Sequence, residues 1–122
     1  MKKILLIAAA AAFVIGGMAT TASAAPLGKC KACHTFKAGK HKTGPNLAGI
    51  MGRVQGGTDF KKYKSYLKAQ KEAGAVWDEA SLRAWLGNSK AVAKAAGGKT
   101  GMPAQKLKGA KLDAAIEALK AL

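Results

Sequence analysis

Acidic residues, cysteines and long apolar runs are all scarce in this sequence. Its 122 residues contain 6 Asp and Glu against 21 Lys and Arg, and only 2 cysteines. The longest apolar run, from Ile4 to Ile15, covers 12 residues, whereas a membrane-spanning helix needs about 20. We find no internal repeat and no regular alternation of apolar and polar residues, so the sequence does not predict a β-sheet fold. These absences favour one small, basic, all-α domain.

The first 24 residues have the layout of a secretory signal peptide. Lys2 and Lys3 precede the apolar run, and Ala-Ser-Ala at 22–24 supplies a cleavage site of small residues. We expect export, cleavage after Ala24, no permanent membrane anchor, and a single domain that covers residues 25–122. An uncleaved transmembrane anchor is the alternative interpretation.

The charge balance predicts a basic surface. Without Lys2 and Lys3, 19 basic and 6 acidic residues remain, a net charge of +13. Such a charge keeps a protein hydrated, and its positive field also speeds association with acidic partners. Nucleic acid is a third possible partner, but no recognition motif is present and the export signal argues against it.

The stretch GKCKACHTF contains both cysteines, Cys30 and Cys33, followed directly by His34. In an exported chain two cysteines commonly form a disulfide. A bridge between residues so close in sequence closes a tiny loop and stabilises the fold little. On a helical turn the two thiols project from one face, so each can add to a vinyl group of a haem while the imidazole binds iron. Cys-x-x-Cys-His is therefore typical of c-type haem attachment.

Two other uses of these thiols compete with haem. A thioredoxin-type dithiol requires a neighbouring βαβ unit, which the sequence does not predict. A zinc site would need the four side chains of Cys30, Cys33, His34 and His41. Adjacent Cys33 and His34 are awkward joint ligands, and the histidines lack zinc-finger spacing. Haem attachment is the hypothesis we favour.

A haem iron held by one histidine needs a sixth ligand. Beyond the signal peptide only Met51 and Met102 remain as thioethers. Met51 follows Ile50 and is typical of core packing, whereas Met102 lies in a Gly-rich loop stiffened by Pro103. We favour Met102, with water, an open site or His41 as alternatives. His/Met ligation raises the reduction potential of haem iron and leaves no position free for a substrate, which favours electron transfer.

Periodicity predicts three helices separated by Gly-rich loops. They run from about 60 to 73, from an N-cap at Asp78 to about 87–88, and from about Lys108 to the end of the chain. One apolar stripe follows the last helix, made up of Leu112, Ile116, Leu119 and Leu122. The apolar inventory is thin for 98 residues, and a bound apolar cofactor would supply the missing core.

Four segments together resemble the class I c-type cytochromes, and the resemblance covers most of residues 25–122. CKACH, which begins at Cys30, is similar to the attachment motif, and KTGPNLAGIMGR at 42–53 is similar to the family segment G-P-x-L-x-G-x-x-G-R. YLKAQKEAGAVWDEASLRAWL at 66–86 resembles the following two helices, and KTGMP at 99–103 resembles the loop with the axial methionine. The resemblance implies three to four short helices wrapped around one covalently bound haem c.

The resemblance also implies roles near the iron. Cys30 and Cys33 would hold the haem through thioethers, and His34 and Met102 would be its axial ligands. The carbonyl of Pro45 would accept the His34 Nδ1 proton and so fix the tautomer that binds iron.

Further roles concern the pocket around the haem. Arg53, the indole of Trp77 and a tyrosine would serve the haem propionates, which cannot be buried unpaired. For that tyrosine the resemblance favours Tyr66 over Tyr63. Trp85 stands where many relatives have a tyrosine that donates to the methionine sulfur, and its indole N–H would donate similarly.

The sequence departs from the family at its start. Only residues 25–29 precede Cys30, too few and too rich in Pro and Gly for the family's N-terminal helix. Ala118 also stands where an aromatic residue is usual on the last helix. We therefore expect the apolar stripe to lack its usual cover, with lower stability of the haem-free protein or a partner chain on that face. The spacing from Trp77 to Met102 is also longer than usual.

Together these features predict a periplasmic monohaem cytochrome that shuttles single electrons between respiratory or other redox partners and is not an enzyme. Lysines near the haem edge would steer acidic partner proteins, namely a reductase or dehydrogenase and an oxidase or reductase. The alternatives are a haem-based ligand sensor or weak peroxidase with an open sixth site, and a cysteine-bridged cationic binding module without haem.

Overall fold

The computed structural model describes residues 26–122, so the predicted signal peptide lies outside the described residues. Within this range the chain forms a 3₁₀ turn and three α-helices, which are Cys30–Ala32, α1 Ser65–Glu72, α2 Glu79–Ala95 and α3 Gly109–Lys120. The same range contains no strand. Its one β-bridge pairs Val54 with Val76. None of the helices described is long and apolar enough to cross a membrane. The predicted all-α fold is confirmed.

Helix α1 is shorter at its start than periodicity predicts. The predicted helix began at about Phe60, but the first helical residue is Ser65. Two contacts hold the preceding segment as a loop: the Tyr63 hydroxyl lies 2.6 Å from Thr58 Oγ1, and the Phe60 ring packs edge-on against Tyr63. Three lysines lie within 61–64, and cations are unfavourable in the first turn of a helix because its N-terminus is positive.

Helix α2 begins as predicted and continues past its predicted end. Asp78 caps it through two reciprocal hydrogen bonds. The Asp78 Oδ1 accepts the backbone N–H of Ser81 at 2.7 Å, and the Ser81 hydroxyl oxygen accepts the Asp78 N–H at 2.9 Å. At Asn88 the backbone is not helical, with φ −164° and ψ 90°. Helical structure then resumes to Ala95 because the Asn88 side chain accepts the N–H of Ala91 and caps a new segment. The sequence predicted that the helix ends at about 87–88, and the segment 89–95 was not predicted.

Helix α3 packs against α2, and its apolar stripe is largely buried. Ile116 is 0% exposed and Leu119 is 3% exposed, and both belong to one hydrophobic core with Leu27 and Ala118. Leu27, three residues before Cys30, is itself 0% exposed. The expectation that this face is left uncovered is therefore wrong for these residues. In the part of the chain described, no α-helix precedes Cys30.

We predict that Leu27→Ala lowers the free energy of unfolding of the haem-loaded protein by about 2–5 kcal/mol, because it removes a fully buried leucine and leaves a cavity. Denaturant unfolding followed by circular dichroism measures the change. Val76→Ala is the control, since Val76 is 45% exposed and its loss should cost less than about 0.5 kcal/mol. Equal losses in the two variants would contradict a core role for Leu27.

Candidate haem-binding site

The described residues surround a cavity of about 680 Å³ that is partly open to solvent. Its walls are mostly apolar and come from the Cys-His turn, all three α-helices and the loops between them. A volume of this size suits a cofactor or another mid-sized organic ligand. Most of the residues predicted for the site line it: Cys30, Cys33, His34, Pro45, Arg53, Trp77, Trp85 and Met102.

Cys30 and Cys33 are free thiols beside one another at the cavity wall. The turn is held by the carbonyl of Cys30, which accepts the backbone N–H of Cys33 at 3.1 Å and of His34 at 2.8 Å. Burial raises the pKa of the Cys30 thiol, and the adjacent Cys33 raises it further. Neither thiol is in a disulfide, and residues 26–122 contain no cluster of three or more His, Cys, Asp or Glu able to hold a metal ion. The disulfide and the zinc site are therefore not supported.

The His34 ring is fixed in one orientation. Its Nδ1 lies 2.6 Å from the carbonyl oxygen of Pro45, which can only accept, so Nδ1 carries the proton and Nε2 keeps its lone pair. Burial lowers the pKa of His34, although the bond to Pro45 partly opposes this effect. Gly44 is required beside the ring, because a Cβ there would lie 2.8 Å from Nδ1 and closer still to the neighbouring ring carbon. The imidazole is thus neutral and able to bind a metal.

Arg53 and Trp77 are brought together by pairing between two loops. The Trp77 N–H donates to the Arg53 carbonyl at 2.8 Å, and the Gly52 N–H donates to the Trp77 carbonyl at 2.6 Å. One guanidinium nitrogen of Arg53 donates to Asn46 Oδ1 and to the carbonyl of Ala48. Its Nε is buried without a hydrogen-bond partner among the described residues. A buried donor of this kind requires an acceptor that the described residues do not supply.

The tyrosine that lines the cavity is Tyr63, whereas the sequence favoured Tyr66. Tyr66 is 9% exposed, stacks on Trp85 with ring centroids 5.4 Å apart, and accepts a hydrogen bond from Gln70. It does not line the cavity, because the loop before α1 turns Tyr63 inward instead. The sequence did not separate the two, because the segment 60–64 was predicted as helix and is a loop.

Met102 enters the cavity from the loop between α2 and α3. The indole N–H of Trp85 donates to its sulfur at 3.1 Å, as expected from the sequence. The Thr100 hydroxyl oxygen accepts the Met102 backbone N–H at 3.2 Å. The Trp85 ring is itself held between Tyr66 and the edge of Trp77. The sulfur is therefore placed by a donor whose own orientation is fixed by packing.

The two alternative ligands considered from the sequence lie elsewhere. Met51 is half-buried against the core and does not line the cavity. The Nδ1 of His41 accepts the backbone N–H of Asn46 at 3.0 Å, and its Nε2 lies 2.5 Å from Asp59 Oδ1. His41 thus ties two surface loops together.

The segment before α1 is part of the cavity wall, which sequence reasoning missed. Phe60 and Tyr63 line the cavity together with four exposed lysines at its mouth, namely Lys61, Lys62, Lys64 and Lys68. Because residues 60–73 were predicted as one helix, this role was not foreseen. A loop that faces a ligand has no periodic pattern from which it could be predicted.

The residues present fit a c-type haem. An apolar cavity of suitable size carries two free thiols on one turn, an imidazole with an available Nε2, a thioether, and an unpaired guanidinium donor. Thiols, imidazole and thioether are the side chains that attach haem and bind its iron, and a guanidinium pairs with carboxylates such as propionates.

Comparison with known proteins gives consistent relatives. No family model matches the chain. Cytochrome c-551 of Roseobacter denitrificans is 43% identical over 86 residues, which cover 56% of this chain and 61% of that protein. Cytochrome c of Chlamydomonas reinhardtii is 47% identical over 64 residues, 51% of this chain and 54% of that protein. The match thus spans less than two thirds of the length of these curated relatives.

Solved structures match over a larger share of their length. Cytochrome c2 of Rhodobacter sphaeroides is 31% identical with a TM-score of 0.65, covering 80% of this chain and 89% of that one. Cytochrome cH of Methylobacterium extorquens is 31% identical with a TM-score of 0.58, covering 83% and 96% respectively. Since both the sequence motifs and the fold agree with these proteins, the chain belongs to the class I c-type cytochromes and carries one covalently attached haem c.

Proposed function

We propose that residues 25–122 form a periplasmic one-electron carrier, exported by a signal peptide at 1–24. Cys30 and Cys33 would form the thioether bonds, and His34 and Met102 would be the axial ligands of the iron. The carrier would shuttle electrons between partners of a respiratory or another redox chain. The cytochrome names of its relatives support this role over that of an enzyme.

One observation carries the proposal: His34 and Met102 line the same cavity, and each is oriented by its own hydrogen bond. The imidazole donates to Pro45 through Nδ1, so Nε2 is available, and the sulfur accepts from Trp85 while keeping a second lone pair. The bound haem would supply an iron that gains and loses one electron. With both axial positions occupied by the protein, no coordination site is left for a substrate.

The polar groups of the cavity would hold the haem propionates. The buried Nε of Arg53 needs an acceptor, and Trp77, 5% exposed, lines the cavity beside it. We propose Tyr63 in place of Tyr66 as the tyrosine of this group, because Tyr63 lines the cavity and Tyr66 does not. Burial of a carboxylate is tolerated when donors of this kind surround it.

The lysines at the cavity mouth would steer acidic partner proteins. Lys61, Lys62, Lys64 and Lys68 are exposed and lie at the opening through which an electron would leave. Charges gathered at an opening attract an oppositely charged reactant and raise its association rate. Among residues 26–122, the ion pairs formed by lysine involve Lys120, on α3.

We predict that Met102→Ala abolishes the long-wavelength sulfur-to-iron absorption band of the ferric protein. Its reduction potential should fall, because the thioether that favours Fe(II) is lost. Affinity for cyanide should rise by roughly tenfold or more, since the sixth position no longer has to be vacated. Optical titration measures both the band and the affinity.

Met51→Ala is the matched control for this prediction and should keep the band, because Met51 does not line the cavity. A wild-type ferric protein without the band that binds cyanide readily would instead support the open-site sensor or weak peroxidase.

We predict that Gly44→Ala displaces the His34 ring and breaks its hydrogen bond to Pro45, because the added Cβ would lie 2.8 Å from Nδ1. The haem spectrum should lose its histidine-ligated form, or the yield of haem-loaded protein should fall roughly tenfold. Gly87→Ala is the control, since the nearest atom to its Cβ is 3.9 Å away. A normal spectrum in Gly44→Ala would contradict the proposed role of His34.

We predict that Lys62→Glu combined with Lys64→Glu slows oxidation of the ferrous protein by ferricyanide about tenfold at low salt, because the steering charge at the cavity mouth is reversed. The difference should shrink as salt rises and screens these exposed charges. Stopped-flow kinetics measures the rates. Lys94→Glu combined with Lys111→Glu changes the net charge equally, away from the cavity lining. An equal slowing in both double variants would refute local steering.

A further inference from the structure

Ser89 is a fully buried hydroxyl placed behind the methionine loop. It is 0% exposed and does not line the cavity. Its Oγ donates to the carbonyl oxygen of Met102 at 3.1 Å, and the carbonyl oxygen of Pro103 lies 3.4 Å away. A buried hydroxyl needs an acceptor, and here both candidate acceptors are main-chain carbonyls, one of the sulfur-bearing Met102 and one of the next residue, Pro103.

The break in α2 accounts for the position of this hydroxyl. Asn88 leaves the helical conformation and caps the segment after it, so Ser89 begins a new helical turn at the point where the methionine loop passes. On the other side of the break, the carbonyl of Leu86 accepts the backbone N–H of Leu107 at 3.1 Å. The two segments of α2 therefore hold the chain at Met102 and again at Leu107, five residues later.

Met102 is consequently held by α2 at two different atoms. Trp85 donates to the side-chain sulfur, and Ser89 donates to the main-chain oxygen. The bond from Trp85 constrains only the end of a flexible side chain. The bond from Ser89 constrains the backbone, and hence the distance over which the sulfur can withdraw.

We propose that Ser89 is a positioning residue for Met102, which limits how often the sulfur leaves the iron and the sixth position opens to other ligands. This inference rests on the proposed His34/Met102 ligation. Without the Ser89 hydroxyl, the Met102 and Pro103 carbonyls lose their shared donor, and the closed arrangement of the loop loses stability relative to the open one. An external ligand binds only the open form, so its apparent affinity reports the open population.

The test compares ferric wild-type protein, Ser89→Ala and Ser81→Ala, all matured in a host that attaches haem. Imidazole is titrated into each while the sulfur-to-iron band is followed, and the free energy of unfolding is measured separately. Loss of one buried hydrogen bond should raise the apparent imidazole affinity of Ser89→Ala roughly five- to thirtyfold. Ser81→Ala is the matched control, because it removes a serine hydroxyl from the same helix at a cap that does not contact Met102.

The outcomes are distinguishable. A rise in affinity in Ser89→Ala, without a comparable rise in Ser81→Ala, would support the inference. An unchanged affinity in Ser89→Ala would overturn it, as would equal rises in both variants, which would reflect general loss of stability. A wild-type protein that lacks the sulfur-to-iron band would overturn the proposed ligation itself, and the positioning role with it.

Discussion

The need to fill one large apolar cavity governs the rest of this structure. The cavity is bounded by residues from every helix and from the connecting loops, and within residues 26–122 the one helix pair in extensive direct contact is α2 with α3. The remaining segments meet across the space that the haem would occupy. Apolar side chains around an unfilled cavity forgo the favourable free energy of burial against other apolar atoms, and they also lose dispersion contacts. The cofactor is therefore also the missing part of the core, which explains how so few large apolar side chains suffice.

The two proposed iron ligands are oriented by groups that lie behind them. His34 is held by the carbonyl of Pro45 and by the bare backbone of Gly44. Met102 is held by Trp85, whose indole is packed between two other aromatic rings, and by the hydroxyl of Ser89. Side chains that are oriented before a metal binds rearrange less when the metal changes its oxidation state. Hydrogen-bond partners behind such side chains also tune their basicity as ligands. Arg53 is also held from behind, by Asn46 and the carbonyl of Ala48, while its buried Nε has no hydrogen-bond partner among the described residues.

Periodicity predicted the helices well where one face of a helix packs on the protein's own core. Helix α3 and the first part of α2 begin within a residue of their predicted starts, because capping and an apolar stripe act locally. Periodicity failed in two other segments. The segment 60–64 is a loop with an aromatic residue at its start, and 89–95 is a second helical segment that a Gly-Asn pair seemed to exclude. In both places specific side-chain contacts decide the conformation, Tyr63 with Thr58 in the loop and Asn88 with the Ala91 N–H at the start of the second segment.

The sequence by itself determined the chemistry of attachment, the family and the all-α architecture. Cysteines three residues apart followed by histidine form a local pattern, and a single turn is enough to bring those atoms together. Only the tertiary structure decided which tyrosine reaches the cavity, that Leu27 belongs to the same buried core as α3, and that Ser89 holds the methionine loop. These contacts join residues far apart in the chain, and their geometry depends on how several loops fold together, which no local pattern of residues records.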